Sequence, residues 1–124
     1  MTTWPPDDLQ LLGTAEEIEI SSHRQDGSLR PYVIIWIVEV NGELYVRSAY
    51  GAANGWFRRA QTSGTGSIRV DAVEHSVRFG PADAVAQVAT DAEYRRKYGR
   101  FPADIVDTVV GDDVHAVTMR VAPA

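Results

Sequence analysis

The chain has 124 residues, 44% of them hydrophobic, no cysteine, and a formal charge of −5. That length supports one hydrophobic core and argues for a single domain over residues 1–124. The lack of cysteine excludes disulfides, thiolate metal sites and thiol nucleophiles, and the acidic balance works against nucleic-acid binding, which needs clustered cations.

In chain order, "WPPDDLQLLG" within residues 1–14 reads as a short helix: two prolines fix its start, Asp7 and Asp8 suit its N-terminal dipole, and Gly13 ends it. This acidic start has neither the basic nor the apolar region of a signal peptide. The longest purely apolar run, Val33 to Val38, is far too short to cross a membrane. A soluble cytoplasmic protein without a membrane partner is therefore expected.

Strands are expected across residues 15–81. In "EEIEISSH", Ile18 and Ile20 fall on one side of an alternating pattern. "RQDGSLR" is a polar turn around Asp26-Gly27. "PYVIIWIVEV" is a continuous β-branched and aromatic run, as in a central strand covered on both faces. Asn41-Gly42 predicts a two-residue hairpin into "ELYVRS", where Leu44, Val46 and Ser48 share one face and Tyr45 and Arg47 the other. Asn54 suits the N-cap of a helix through about Gln61, and "GSIRVD" and "HSVRFG" form a second strand pair.

Residues 82–89 fit strand or helix equally. Helices are expected over 90–111. The first opens on a Thr90-x-x-Glu93 capping box, stacks Tyr94 on Tyr98 and pairs Glu93 with Lys97. The second places Pro102 at its first position and Gly111 past its end. Residues 113–121 alternate as a closing strand. The sum is a mainly β protein with short helices: an antiparallel sheet closed by its last strand, with helices over the openings.

The chemistry these residues permit is narrow. No Gly-x-Ser-x-Gly elbow, Walker loop or GxGxxG motif occurs, and His23, His75 and His115 lack metal-ligand spacing, so no metal is expected. Eleven of the twelve basic residues are arginine, Lys97 being the exception. Arginine presents a planar fork matched to phosphate and carboxylate; a GC-rich genome would produce the same bias. Two segments carry the arginines that could bind an anion. Residues 21–30 place Arg24, Gly27 and Arg30 around a turn; residues 44–60 hold Arg47, Ser48, Arg58 and Arg59 beside a helix N-terminus at Asn54-Gly55. Either these are solvated arginines on two ordinary turns, or they meet on a phosphate at one rim of the sheet. Tyr32, Trp36, Tyr45, Trp56 and Phe57 would flank a flat heterocycle or fill the core.

Three motifs resemble the FMN-binding split-barrel superfamily of pyridoxamine-phosphate-oxidase-like proteins and deazaflavin-dependent nitroreductases. More narrowly, they resemble a domain-of-unknown-function family of small bacterial proteins of that type. The turn from Ser22 to Arg30 keeps the nitroreductase branch's two arginines and glycine in Arg24, Gly27 and Arg30. Ser48, Gly51, Trp56 and Phe57 match its strand-ending serine, glycine loop and aromatic helix start. Asp91, Tyr94, Lys97 and Tyr98 match Asp-x-x-Tyr-x-x-Lys-Tyr. Departures are Gln25 for a lysine, Asp26 in the phosphate turn, and Arg59 for an asparagine.

The resemblance implies a six-stranded antiparallel split β-barrel, a homodimer with FMN or a deazaflavin of the coenzyme F-420 type at the subunit interface. Arg24, Arg30 and Ser48 would contact the cofactor phosphate, with Arg47, Trp56 and Arg58 lining the same pocket. The function implied is a flavin- or deazaflavin-dependent oxidoreductase, with Tyr32 or Tyr45 available to give a proton. The alternatives are a non-catalytic dimer of the same fold, without cofactor, binding another small anion or a protein partner, and an unrelated β-barrel ligand carrier.

Overall fold

A computed structural model describes residues 3–49 and 51–124. Helix α1 (Pro6–Thr14) leads into β1 (Ile18–Ser22), β2 (Val33–Ile35), β3 (Val38–Val40) and β4 (Glu43–Arg47). Helix α2 (Gly55–Ser63) precedes β5 (Thr65–Val70) and β6 (Val73–Pro81). Helices α3 (Ala86–Tyr98) and α4 (Ala103–Val106), two 3-10 turns (Asp107–Val109 and Asp112–Val117) and β7 (Thr118–Pro123) complete the chain.

All seven strands join one antiparallel sheet in the order β2-β1-β5-β6-β7-β4-β3. The edge strands β2 and β3 are separated in sequence only by Trp36 and Ile37. Two residues span little more than one strand spacing, so the sheet curls to bring its edges near each other, giving a half-barrel whose edge strands β2 and β3 do not pair with each other. This corrects the expectation of six strands. The run 31–40 is not one central strand but two short ones on opposite edges, broken at Trp36 and Ile37.

Side chains at Ile18, Ile20, Leu44, Val46, Ile68 and Val121 fill the inside of the curl and are almost wholly buried. Each contributes about 1.5–3 kcal/mol of transfer free energy. Trp4 and Leu12 from the N-terminal segment, and Trp56, Phe57 and Ala60 from α2, pack into this cluster. The Trp4 indole donates to the Val121 carbonyl at 2.9 Å. A second cluster lies on the other face of β3 and β4. There Val38 and Tyr45 meet Tyr94 and Tyr98 of α3 and Val106, Val109 and Val110. The alternation expected of β4 is present, with both of its faces buried.

Other local expectations divide. Asn41 and Gly42 turn the β3–β4 hairpin with φ of 53° and 83°, the pair of left-handed residues a tight hairpin needs. Tyr94 and Tyr98 stack with centroids 6.0 Å apart. Helix α3 starts at Ala86, so Thr90 lies inside it, and its hydroxyl donates back to the Ala86 carbonyl at 2.7 Å instead of capping. Glu93 pairs with Arg96 one turn on, and Lys97 turns inward. Pro102 is the N-cap of α4 rather than its first residue. Residues 112–117 wind as a 3-10 turn after Gly111, whose φ is 98°, so strand β7 begins only at Thr118.

Candidate functional site

The two arginine-bearing segments meet, and sheet pairing is the reason. Ser22 at the end of β1 pairs with Gly66 of β5, and the His23 amide donates to the Thr65 carbonyl at 3.1 Å. Gly64 ends α2 in the left-handed conformation, with φ of 72°, and delivers the chain directly into β5. The turn after β1 therefore lies alongside α2. Between them is a cleft of about 940 Å³, to which the turn contributes Arg24, Gly27 and Arg30 and the helix Arg58 and Arg59.

Helix α2 divides cleanly. Trp56, Phe57 and Ala60 face the core. Gly55, Arg58, Arg59, Thr62 and Ser63 line the cleft, at offsets of three, four, seven and eight residues that define one helical face. Its first turn has no acidic residue, and Asn54 makes no side-chain capping bond among the described residues. The Arg59 guanidinium folds back over the start of the helix, its Nη1 2.8 Å from where a Cβ on Gly55 would stand. A cation thus sits at the positive end of a helix dipole, a placement that favours an anion there.

The turn is held by its own bonds. Asp26 accepts from the Ser28 amide at 2.9 Å and the Ser28 hydroxyl at 2.6 Å, and those bonds hold its carboxyl below the usual carboxylate range. Asp26 does not line the cleft. Arg24 donates to the Ser28 hydroxyl at 3.2 Å and the Leu29 carbonyl at 2.9 Å. Arg30 is fixed through its backbone: its amide donates to Ser22 and its carbonyl accepts from the Ser21 hydroxyl at 2.5 Å. The Arg30 Nε is buried with no hydrogen-bond partner among the described residues. Arg47, Arg69, Arg96, Arg100 and Arg120 each pair with a carboxylate; among the described residues the cleft's Arg24, Arg30, Arg58 and Arg59 do not, nor do Arg78 and Arg95 outside it.

A narrow pocket touching Arg30 and Arg59 continues past Val33 and Trp56. It leads to an apolar groove of about 480 Å³, lined by Val33, Ile35, Trp36, Trp56 and Ile105 among others. Of the residues singled out in the sequence, Arg24, Arg30 and Arg58 share the cleft, and Trp56 lies between cleft and groove.

Arg47 and Ser48 do not join them in the cleft. The Arg47 side chain borders the groove but is fully buried. Its guanidinium pairs with Asp91 and donates to Thr118 Oγ1, the Val109 carbonyl and Gln87 Oε1. The Ser48 hydroxyl donates to the Gly51 carbonyl at 2.6 Å, closing the loop that leads to α2. Tyr32 lies on the outer face, its hydroxyl bonded to Ser67 and Glu74 and its ring under Arg69, while Tyr45 packs against α3. The Asp91, Tyr94, Lys97 and Tyr98 motif is internal support: Asp91 holds Arg47, and Lys97 and Tyr98 bond to Ile37. Sequence reasoning counted Arg59 among the candidate anion binders but not in the implied cofactor pocket, and omitted Thr62 and Ser63; their helical spacing from Gly55 was the available signal.

Among the described residues, no three His, Asp or Glu side chains gather around a possible metal position, and no helix is long and apolar enough to cross a membrane. No curated protein matches the sequence. Solved structures do match. A candidate pyridoxamine 5'-phosphate oxidase from Listeria innocua superposes with a TM-score of 0.64 at 12% identity, over 95% of this chain and 91% of that one. HutZ, a heme storage protein from Vibrio cholerae, gives 0.62 at 10% identity, over 100% and 92%. An F420 reductase gives 0.53 at 19% identity, over 93% and 91%. These likenesses establish a split-barrel type of fold. The sequence profile of the family described as "Uncharacterized protein conserved in bacteria (DUF2255)" matches residues 8–121, and the chain belongs to that family.

Proposed function

We propose that the protein binds a phosphate-bearing flavin or deazaflavin and acts as a small cytoplasmic oxidoreductase, with a homodimer as its working form. The observation that carries this reading is the convergence of Arg24, Arg30, Arg58 and Arg59, none paired with a carboxylate, on one cleft of a protein whose net charge is −5. Four guanidinium groups without a carboxylate partner, brought together on one cleft beside a positive helix end, suit an anionic ligand.

The adjoining groove suits the rest of such a cofactor, because Val33, Trp36 and Trp56 offer a flat apolar lining next to the arginines. Arg24, Arg30, Arg58 and Arg59 would hold the phosphate, and the groove would receive the ring system and keep water from it. Arg47 and Ser48 would act indirectly, by fixing β4 and the loop into α2. The bound cofactor would supply hydride transfer. The fold likeness to an F420 reductase and to a candidate pyridoxamine 5'-phosphate oxidase agrees with this reading.

The test is the absorbance spectrum of freshly purified protein, followed by titration with FMN and with a deazaflavin. One of the two should bind at low micromolar concentration or tighter. Arg30→Ala or Arg58→Ala should weaken it about tenfold, the value of one charge-assisted hydrogen bond. Failure of both cofactors to bind below high micromolar concentration would overturn the assignment.

A further inference from the structure

Four guanidinium groups are more than one phosphate monoester can use. A phosphate group carries about two negative charges at neutral pH. The cleft offers four arginines and the positive end of α2 and is lined by no carboxylate, and Asp26 in the adjoining turn is tied down by Ser28. A single phosphate would leave about half of that charge unmatched.

The arginines also belong to two bodies. Arg24 is fastened to its own turn by Ser28 and Leu29, and Arg30 is anchored by strand bonds to Ser21 and Ser22. Arg58 and Arg59 rise from α2, with Arg59 laid back over Gly55. The two pairs therefore reach the cleft from separate elements, with Arg30 and Arg59 also bordering the narrow pocket beyond it. The cleft between them, about 940 Å³, is several times the size of one phosphate group.

Resting on the reading of this cleft as an anion site, we propose that its preferred ligand carries two linked anionic groups, of the diphosphate class. One would be gripped by Arg24 and Arg30, the other by Arg58 and Arg59 with the Thr62 and Ser63 hydroxyls beside them. A mononucleotide cofactor would fill half of this arrangement. A dinucleotide, or a cofactor whose phosphate leads to a second anionic group, would fill both halves.

The probes are inorganic phosphate and pyrophosphate, compared by calorimetry at fixed ionic strength. Pyrophosphate should bind at least about tenfold more tightly, since a second set of charge-assisted bonds is engaged. In the Arg58→Ala/Arg59→Ala double variant that ratio should fall to near one, while phosphate affinity drops only about twofold. Both side chains are exposed, so folding should survive, and the melting transition checks it. Arg95→Ala, on the outside of α3, should leave the ratio unchanged, which separates specific grip from general charge attraction. A ratio near one in the unmodified protein, or one that persists in the double variant, would overturn the two-group proposal and leave the anion site standing. If neither ion binds, the anion site itself is wrong.

Discussion

Lys97 donates its ammonium to the Ile37 carbonyl, 2.6 Å away, at the point where the apolar run over 33–40 leaves the sheet. The Tyr98 hydroxyl accepts from the Ile37 amide at 3.2 Å and donates to the Glu16 carbonyl at 2.8 Å. Trp36 lies flat on the Tyr98 ring, with centroids 3.9 Å apart. Helix α3 thus supplies the backbone partners that the ladder withdraws from Ile37.

Burial pulls the Lys97 ammonium down from 10.5 to about 8; Arg96 adds to this and Glu93 opposes it. Between about pH 8 and 10, the unfolded chain therefore binds more protons at this residue than the folded one, and stability should rise with pH. Burial raises the Tyr98 hydroxyl, so it stays protonated across that window. Urea midpoints at pH 7.5 and 9.5 should show a gain in the natural protein that Lys97→Met lacks. Equal gains in both would show that Lys97 is not held as described.

Arg47 and Asp91 make the opposite kind of prediction to the cleft arginines. Burial alone would raise the Asp91 carboxyl. Hydrogen bonds from Arg47 and His115, the Arg47 charge and the Gly111 amide outweigh it and hold the group below its ordinary 3.8. Its contribution is fully present above that ordinary value and is lost as pH falls through the lowered one. Asp91→Asn should therefore flatten the acid side of the stability profile. Arg47→Met strands a buried carboxylate and should cost about 3–5 kcal/mol. Because the Arg47 guanidinium is turned away from the cleft, whatever remains folded should bind phosphate as before. A large loss of affinity in folded Arg47→Met would return this residue to the site.

Local rules carried much of the sequence reading. Asn41-Gly42 was legible because both residues tolerate positive φ. The turn at Asp71-Ala72 has φ of 52° and 66° and was not, because an alanine gives no hint of a left-handed backbone. The break at Ile37 was invisible for a different reason. Every residue from Val33 to Val40 except Glu39 is apolar or aromatic, and what interrupts the strand is a lysine and a tyrosine some sixty residues away. The Thr90 capping box had the right spacing, but α3 begins a turn earlier and leaves its hydroxyl a helix-interior partner. Both arginine segments stood out by composition. Their meeting depended on β1 pairing with β5, which no local pattern announced.

Gly55 separates stability from binding. A Cβ there meets only the far end of the Arg59 side chain, 2.8 Å from Nη1, a group that can move aside. Gly55 opens α2 with φ outside the left-handed region, so alanine fits the backbone and favours the helix. Gly55→Ala should leave stability unchanged or raise it by up to about 1 kcal/mol. It should weaken pyrophosphate binding severalfold by displacing Arg59. Gly66 is the contrast: a Cβ there would stand 2.0 Å from the Ser21 carbonyl oxygen. Gly66→Ala should cost at least about 1–3 kcal/mol in a denaturant melt, because the clash is with backbone. If Gly55→Ala lowers stability as much as Gly66→Ala, Arg59 is not free to move.

Edge strand β2 and helix α4 give the homodimer its clearest test. Ile34 is 62% exposed on an unpaired strand edge and Ile105 is 45% exposed, and both border the apolar groove. An exposed edge of this kind invites pairing with a second chain unless something covers it. If a second copy covers it, light scattering at micromolar concentration should give twice the chain mass of 13.6 kDa. Ile34→Lys should shift the protein toward monomer, because a charge on the edge opposes pairing. The side chain is exposed, so the monomer should still fold, and the melting transition would verify this. Cofactor titration of that monomer then reports whether the groove is complete within one chain: unchanged affinity would place the whole site in a single subunit, whereas a loss with phosphate binding retained would assign part of the groove to the partner. A natural protein that is monomeric at these concentrations would remove the dimer from the proposed function.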